Sequence, residues 1–201
     1  GADAVKVQIY DTYQMPGDNR SKWEYLSMSQ EVFLELKEYS EKLGVDYFAS
    51  AFHQDRFDWI LNSGLKVNKI ASMLIESDFD LCIKMLESGL KTYCSLGKWN
   101  KEHLPFKNFN NVDYLHCVCK YPHSVNEAIE LMPENFDNKL CGYSDHSEGI
   151  DACKIAVDKG AKVLEKHFTL DKSLQSSTEA AHTCSMVKSE LKDLRQYCGR
   201  N

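Results

Sequence analysis

The amino-acid sequence predicts an α/β fold, a parallel β/α barrel. Three observations carry this. Short apolar runs of strand type alternate with segments of helical periodicity from Ala4 to Cys198. Most of the intervals between the runs are long enough to hold the crossover helix that parallel strands require. Lysines, serines and histidines collect at the C-terminal ends of the strand-type runs, where a β/α barrel carries its chemistry.

AVKVQ (4–8) opens the chain as a strand. A polar loop follows, then SMSQEVFLELKEYSEKLG. Here Ser29 is a cap, Val32, Phe33, Leu36, Tyr39 and Leu43 recur at helical spacing, and Gly44 is the stop. A strand is expected at 47–52 (DYFASAF) and a helix over DRFDWILNSG. The next strand is at 67–71 (VNKIAS), followed by the helix FDLCIKMLESG. KTYCSL gives a strand at 91–95. VDYLHCVCKYP gives one at 113–118, with SVNEAIELM as its helix. KLCGYS (140–144) leads to the helix GIDACKIAVDKG. KVLEKHFTL (163–168) leads to the closing helix VKSELKDLRQYC. KWNKEHLPFKNFNN (98–111) is too polar and too broken by Pro and Asn for a helix. These are seven strands, one short of a closed (β/α)₈ barrel. A doubly wound open sheet is the structural rival, but no G-x-G-x-x-G loop follows any early strand.

The 201 residues, 43% of them hydrophobic, suit one sizeable core and a single domain over 1–201. The net charge of −6 gives no footprint for nucleic acid. No stretch approaches the roughly 18 apolar residues of a membrane span. The start, GADAVKVQIYDTYQ, lacks the basic residues and apolar run of a signal peptide. The eight cysteines include no C-x-x-C pair, and most sit in apolar runs, as expected for reduced thiols in a cytoplasmic protein. Cys117 and Cys119 read as alternate positions on one strand face, which suits packing.

Two lysines lie inside apolar strands. Lys6 stands between Val5 and Val7, and Lys69 precedes Ile70. Burying an ammonium costs on the order of several kcal/mol unless an anion meets it. Both are therefore expected at the barrel mouth, with hydroxyls from Ser50, Ser72, Ser95 and Ser144 at neighbouring strand ends. Together they describe a site for a phosphorylated or carboxylated small molecule. For either lysine alone, pairing with an internal Glu or a solvated strand edge is the plainer reading. His146 and His167 close two consecutive strands, with Asp145 and Glu165 beside them. Two imidazoles at adjacent strand ends suit a borderline divalent ion with open positions; two structural histidines are the alternative. His116 and Cys117 read as strand packing, and His53, His103, His123 and His182 as solvated loop residues.

GADAVKVQ, NKIAS, LHCVCKYP, GYSDHSEGI and GAKVLEKHFTLD together resemble, in order and spacing, the N-acetylneuraminate (sialic acid) synthase family. The resemblance covers nearly the whole chain, and the pair GYSDH and EKHFTLD is its most specific part. It implies a (β/α)₈ TIM-type barrel that begins here at the family's second strand, so that the first β/α unit is lacking, as is a C-terminal antifreeze-like domain. It implies condensation of phosphoenolpyruvate with an N-acyl mannosamine-type amino sugar, releasing phosphate and giving a sialic or related nonulosonic acid. It further implies a divalent metal, manganese or magnesium, and a homodimer. By motif, His146 and His167 match the metal ligands. Lys6, Lys69, Ser72, Ser95 and Ser144 match residues that hold phosphoenolpyruvate, and Ser50 stands where a phosphate-binding Thr is common. Tyr121 matches a tyrosine near the substrate, and Cys119 replaces an Asn that contacts the phosphate.

The sequence also departs from the family. Leu74 stands where K-I-x-S-G-E places a Glu, a candidate for handling the proton of the attacking water. SLGKW replaces S-T-G-M, and QSSTEAAHTCSM (175–186) replaces P-G-P-D-H. These changes leave a second reading, a non-catalytic relative that binds an anionic sugar or phosphorylated ligand. A metal-dependent barrel hydrolase fits less well, because the H-x-H and carboxylate ligand set of such sites is missing.

Overall fold

The computed structural model describes residues 1–15, 20–120, 123–174 and 184–199, with Lys22 by its backbone alone. It divides into two compact units, one of residues 2–94 with 101–112, the other of residues 1, 95–100 and 113–201.

The first unit carries β1 (Ala4–Ile9), α1 (Arg20–Leu26), α2 (Gln30–Leu43), β2 (Asp46–Ala51), α3 (Gln54–Ser63), β3 (Val67–Ile70), α4 (Ser72–Ser77), α5 (Phe79–Glu87) and β4 (Lys91–Ser95), whose last residue belongs to the second unit. Its strands pair in parallel in chain order. The α2 boundaries follow local chemistry. The Ser29 hydroxyl accepts from the Val32 N–H, and Gly44 ends the helix in the left-handed region at φ 65°, its N–H donating to the carbonyls of Ser40 and Glu41. One face of the sheet packs on helices. Phe33 of α2, fully buried, meets Tyr47 of β2 with ring centroids 5.5 Å apart. Truncating a ring buried this way costs about 3–5 kcal/mol.

The second unit carries β5 (Val112–Cys117), whose first residue belongs to the first unit, α6 (Val125–Leu131), β6 (Leu140–Asp145), α7 (Asp151–Asp158), β7 (Val163–Lys166), a 3₁₀ turn at Lys172–Leu174 and α8 (Lys188–Tyr197). Its strands are again parallel and in order. Tyr143 of β6 is buried among Ala128 of α6 and Ala152 and Ala156 of α7. Gly142 is required by close approach: a Cβ there would lie 2.1 Å from the Val163 carbonyl oxygen.

The seven expected strands are present, each within two residues of its expected ends. Residues 98–111 hold no helix or strand. Two short helices were not expected. α1 lies in what read as a polar loop, and α4 is inserted directly after β3. Cys119 lies beyond the end of β5, so it does not share a strand face with Cys117 as the alternation suggested. Among the described residues no helix is long and apolar enough to cross a membrane.

Candidate functional site

In the first unit the register settles which residues share a face. Lys6 pairs with Phe48 and Gln8 with Ser50, while Ala49 pairs with Asn68. Side chains alternate along a strand, so Lys6, Gln8, Phe48, Ser50, Lys69 and Tyr93 lie on one face, turned away from Phe33 and its helix. The Phe48 and Tyr93 rings confirm this, with centroids 6.4 Å apart.

Lys69 is 2% exposed, and its ammonium donates to the Ile70 carbonyl at 3.2 Å. Lys6 is half-buried. The Ser50 hydroxyl is fully buried with no hydrogen-bond partner among the described residues. An orphaned hydroxyl costs about 1–3 kcal/mol, a cost that a ligand oxygen would remove. Strict alternation would send Ser72 to the face opposite Lys69. Instead β3 stops at Ile70, Ala71 is extended at φ −70°, ψ 148°, and Ser72 begins α4. The turn frees Ser72, itself buried, from the strand alternation. Leu74 is buried in the same helix.

In the second unit Cys117, Ser144 and Glu165 are register partners on one face. His146 and His167 lie just beyond the ends of β6 and β7, two residues past Ser144 and Glu165. Their rings stand 5.5 Å apart between centroids and are tilted by 37°. The Nδ1 of His146 lies 3.2 Å from the Val118 carbonyl oxygen and 3.6 Å from the Cys117 thiol. A ring that donates from Nδ1 to a carbonyl keeps its lone pair on Nε2, the arrangement of most metal-ligating histidines. Burial pushes the imidazole down to about 4, opposed by the Val118 bond, so at neutral pH it is the uncharged form that a metal needs. A neutral imidazole beside a second histidine ring is the donor chemistry that a divalent ion takes. Among the described residues no three of His, Cys, Asp and Glu come together as a larger ligand cluster.

Glu165 was not singled out as a site residue, although its position two residues before His167 signals a shared face. Ser144 donates to its Oε1 at 3.3 Å. Asp145 lies elsewhere: it is buried on the helix side of β6, ion-paired with Lys166 of β7. Burial alone would raise its carboxyl, but Lys166 and Ser147 outweigh that and hold it below the usual range. Ser95, buried, ends β4. Cys119 is half-buried and crowds Gly97, whose Cβ would fall 2.6 Å from the Cys119 sulfur.

His116 packs in its strand as expected, stacked on Tyr143 at 5.9 Å. Of the histidines expected in solvent, one is buried and another is half-buried. His123 is buried, with Nδ1 2.9 Å from the Lys120 carbonyl oxygen, because its segment bridges to Ser147. His53 accepts the Asp11 N–H at 3.0 Å. Tyr121, His182 and most of the 175–186 loop lie outside the described residues.

Comparison with known proteins follows the same residues. The chain is 33% identical over 208 residues to an uncharacterized protein of Methanocaldococcus jannaschii, covering 96% of this chain and 60% of the relative. It is 31% identical over 228 residues to an N,N'-diacetyllegionaminic acid synthase of Legionella pneumophila, covering 98% of this chain and 63% of that protein. The chain therefore spans about three fifths of the length of these relatives. A crystal structure of an N-acetylneuraminic acid synthetase from Leptospira borgpetersenii, in complex with citrate, superposes with a TM-score of 0.84 at 28% identity, over 98% of this chain and 72% of that one. Residues 1–200, which hold both histidine motifs and both strand lysines, match the NeuB family, and the chain belongs to that family.

Proposed function

We propose that this chain is the phosphoenolpyruvate-handling barrel of a nonulosonic acid synthase. The reaction joins phosphoenolpyruvate to an N-acyl mannosamine-type amino sugar and releases phosphate. The observation that carries this is the face shared by Lys6, Ser50 and buried Lys69. Two ammonium groups and an orphaned hydroxyl match a small trianion. The names of the relatives, legionaminic and N-acetylneuraminic acid synthases among them, support the same reading.

The residues take the following roles. Lys6 and Lys69 neutralise the phosphate and carboxylate, and Ser50 and Ser72 donate to their oxygens. Ser95, Ser144 and Cys119 are further substrate contacts, and Tyr121 is a catalytic candidate by motif. His146 and His167 would hold a divalent ion, manganese or magnesium, which would supply Lewis-acid polarisation of the sugar aldehyde. The enol carbon of phosphoenolpyruvate then attacks the aldehyde carbon, water adds to the resulting oxocarbenium carbon, and phosphate leaves. Glu165 is placed to exchange a proton with a reacting oxygen, its other role being to accept from Ser144.

One observation favours a second reading, binding without turnover. Leu74 is 1% exposed and apolar where the family carries a Glu. Phosphate release from phosphoenolpyruvate, with manganese and a panel of N-acyl amino sugars, separates the two. Turnover that is lost with a chelator and restored by manganese supports the synthase. Calorimetric binding of phosphoenolpyruvate without release supports the binder, and no binding at all overturns both.

A further inference from the structure

Asp145 and Lys166 are register partners on β6 and β7, and each directly precedes a site histidine. Their side chains are 0% and 1% exposed. The Lys166 ammonium meets Asp145 Oδ2 and donates to the Ser147 carbonyl at 2.7 Å. Asp145 Oδ1 accepts from the Tyr143 hydroxyl at 3.0 Å, the Ser147 N–H at 2.9 Å and the Ser147 hydroxyl at 2.8 Å. The Cys153 thiol of α7 donates to Oδ2 at 3.4 Å. His146 is thus bracketed: the residue before it and the residue after it are tied to each other and to β7.

A buried ion pair of this kind is weak evidence for stability, since an apolar pair of similar volume often does as well. It is strong against slippage. Moving β6 along β7 by one residue would leave two unpaired charges in an apolar layer, whereas an apolar pair would tolerate the shift. Consecutive strand residues face opposite sides, so a pair fixed on the helix side fixes the next residues on the other.

We propose that Asp145 and Lys166 form a positioning pair, dispensable for folding, that locks the ends of β6 and β7 and thereby sets the spacing of His146 and His167. Its consequence for metal affinity rests on the proposed function; the spacing itself does not.

The test replaces the pair as a unit, Asp145→Leu with Lys166→Met, in the full chain. Nuclear Overhauser contacts between the two imidazoles, in metal-free protein with labelled histidine, read the spacing directly. Manganese affinity by electron paramagnetic resonance reads the consequence, and thermal melting reads stability. The expected result is a melting temperature near that of the parent, a lost or much weakened ring-to-ring contact, and manganese affinity reduced about tenfold or more, as for other outer partners of metal ligands. Lys166→Arg, which keeps the charge, should retain the contact. An unchanged contact in the double variant overturns the proposal. So does failure of that variant to fold, because the pair would then be a stability element. If the parent binds no manganese, the metal reading falls while the contact still decides the positioning claim.

Discussion

Ser144 and Glu165 are register partners on β6 and β7, and the Ser144 hydroxyl donates to Glu165 Oε1 at 3.3 Å. That hydroxyl bond orients the carboxylate on the face that also carries Ser144, where a carboxylate can act as an acid/base group. Glu165→Gln should therefore lower phosphate release by about 100-fold or more, the usual size of a lost acid/base group. Thermal melting should move little, because Glu165 is only half-buried. A variant that melts far below the parent would show the carboxylate to be structural.

Lys69 and Ser72 should differ sharply in their effect on phosphoenolpyruvate binding. Lys69→Ala removes a buried positive charge on the face of Ser50 and is expected to abolish binding. Ser72→Ala removes one hydrogen bond to a charged group and should weaken binding about tenfold. Titration calorimetry on both variants checks this. Parent-like affinity in Lys69→Ala would remove the anion site.

Acid stability carries the mark of His116. Burial, with the nearby Lys159 ammonium, pushes its imidazole down to about 4 from an ordinary value of 6.5. Below 6.5 the unfolded chain binds a proton that the folded chain refuses, so stability is fully present above 6.5 and is lost as the pH falls toward 4. The shift is worth on the order of 3 kcal/mol at most. Urea melts at pH 7 and pH 4.5 should converge in His116→Gln relative to the parent. An equal pH dependence in both would assign the loss to other groups.

Thiol reactivity should be split two against six. Cys119 and Cys198 are half-buried, whereas the other six cysteines are buried. Burial also pushes the thiol of Cys94 up to about 12, opposed by Lys69, and raises those of Cys82, Cys153 and Cys184. Iodoacetamide followed by peptide mass mapping should modify Cys119 and Cys198 first. Phosphoenolpyruvate should protect Cys119 alone, and equal rates with and without it would take Cys119 out of the substrate contacts.

The parts of this chain that were legible are those governed by short-range periodicity. The Ser29 cap, the Gly44 stop and the seven strands depend on neighbouring residues alone. α1 was hidden because RSKWEYL is short and has no acidic residue in its first turn. α4 was hidden because its single stretch SMLIES shares Asp78 as terminator with the start of α5. Lys6 and Lys69 were found because a cation inside an apolar strand is unusual wherever it occurs. Asp145 and Glu165 both read as acids beside a histidine; the two-residue spacing of Glu165 from His167 hints at a shared face, and the buried pairing with Lys166 shows Asp145 to lie behind the sheet. The burial of His123 depends on Ser147, distant in sequence, and leaves no local trace.

Gly142 limits how this protein can be redesigned. With the Val163 carbonyl oxygen 2.1 Å from where a Cβ would stand, even alanine would pry the two backbones apart. Libraries that randomise β6 to broaden acceptor choice will lose their members at this position to misfolding rather than to poor chemistry, and survivors should carry glycine alone. The freedom to diversify this strand is thus limited at residue 142 by interstrand clearance.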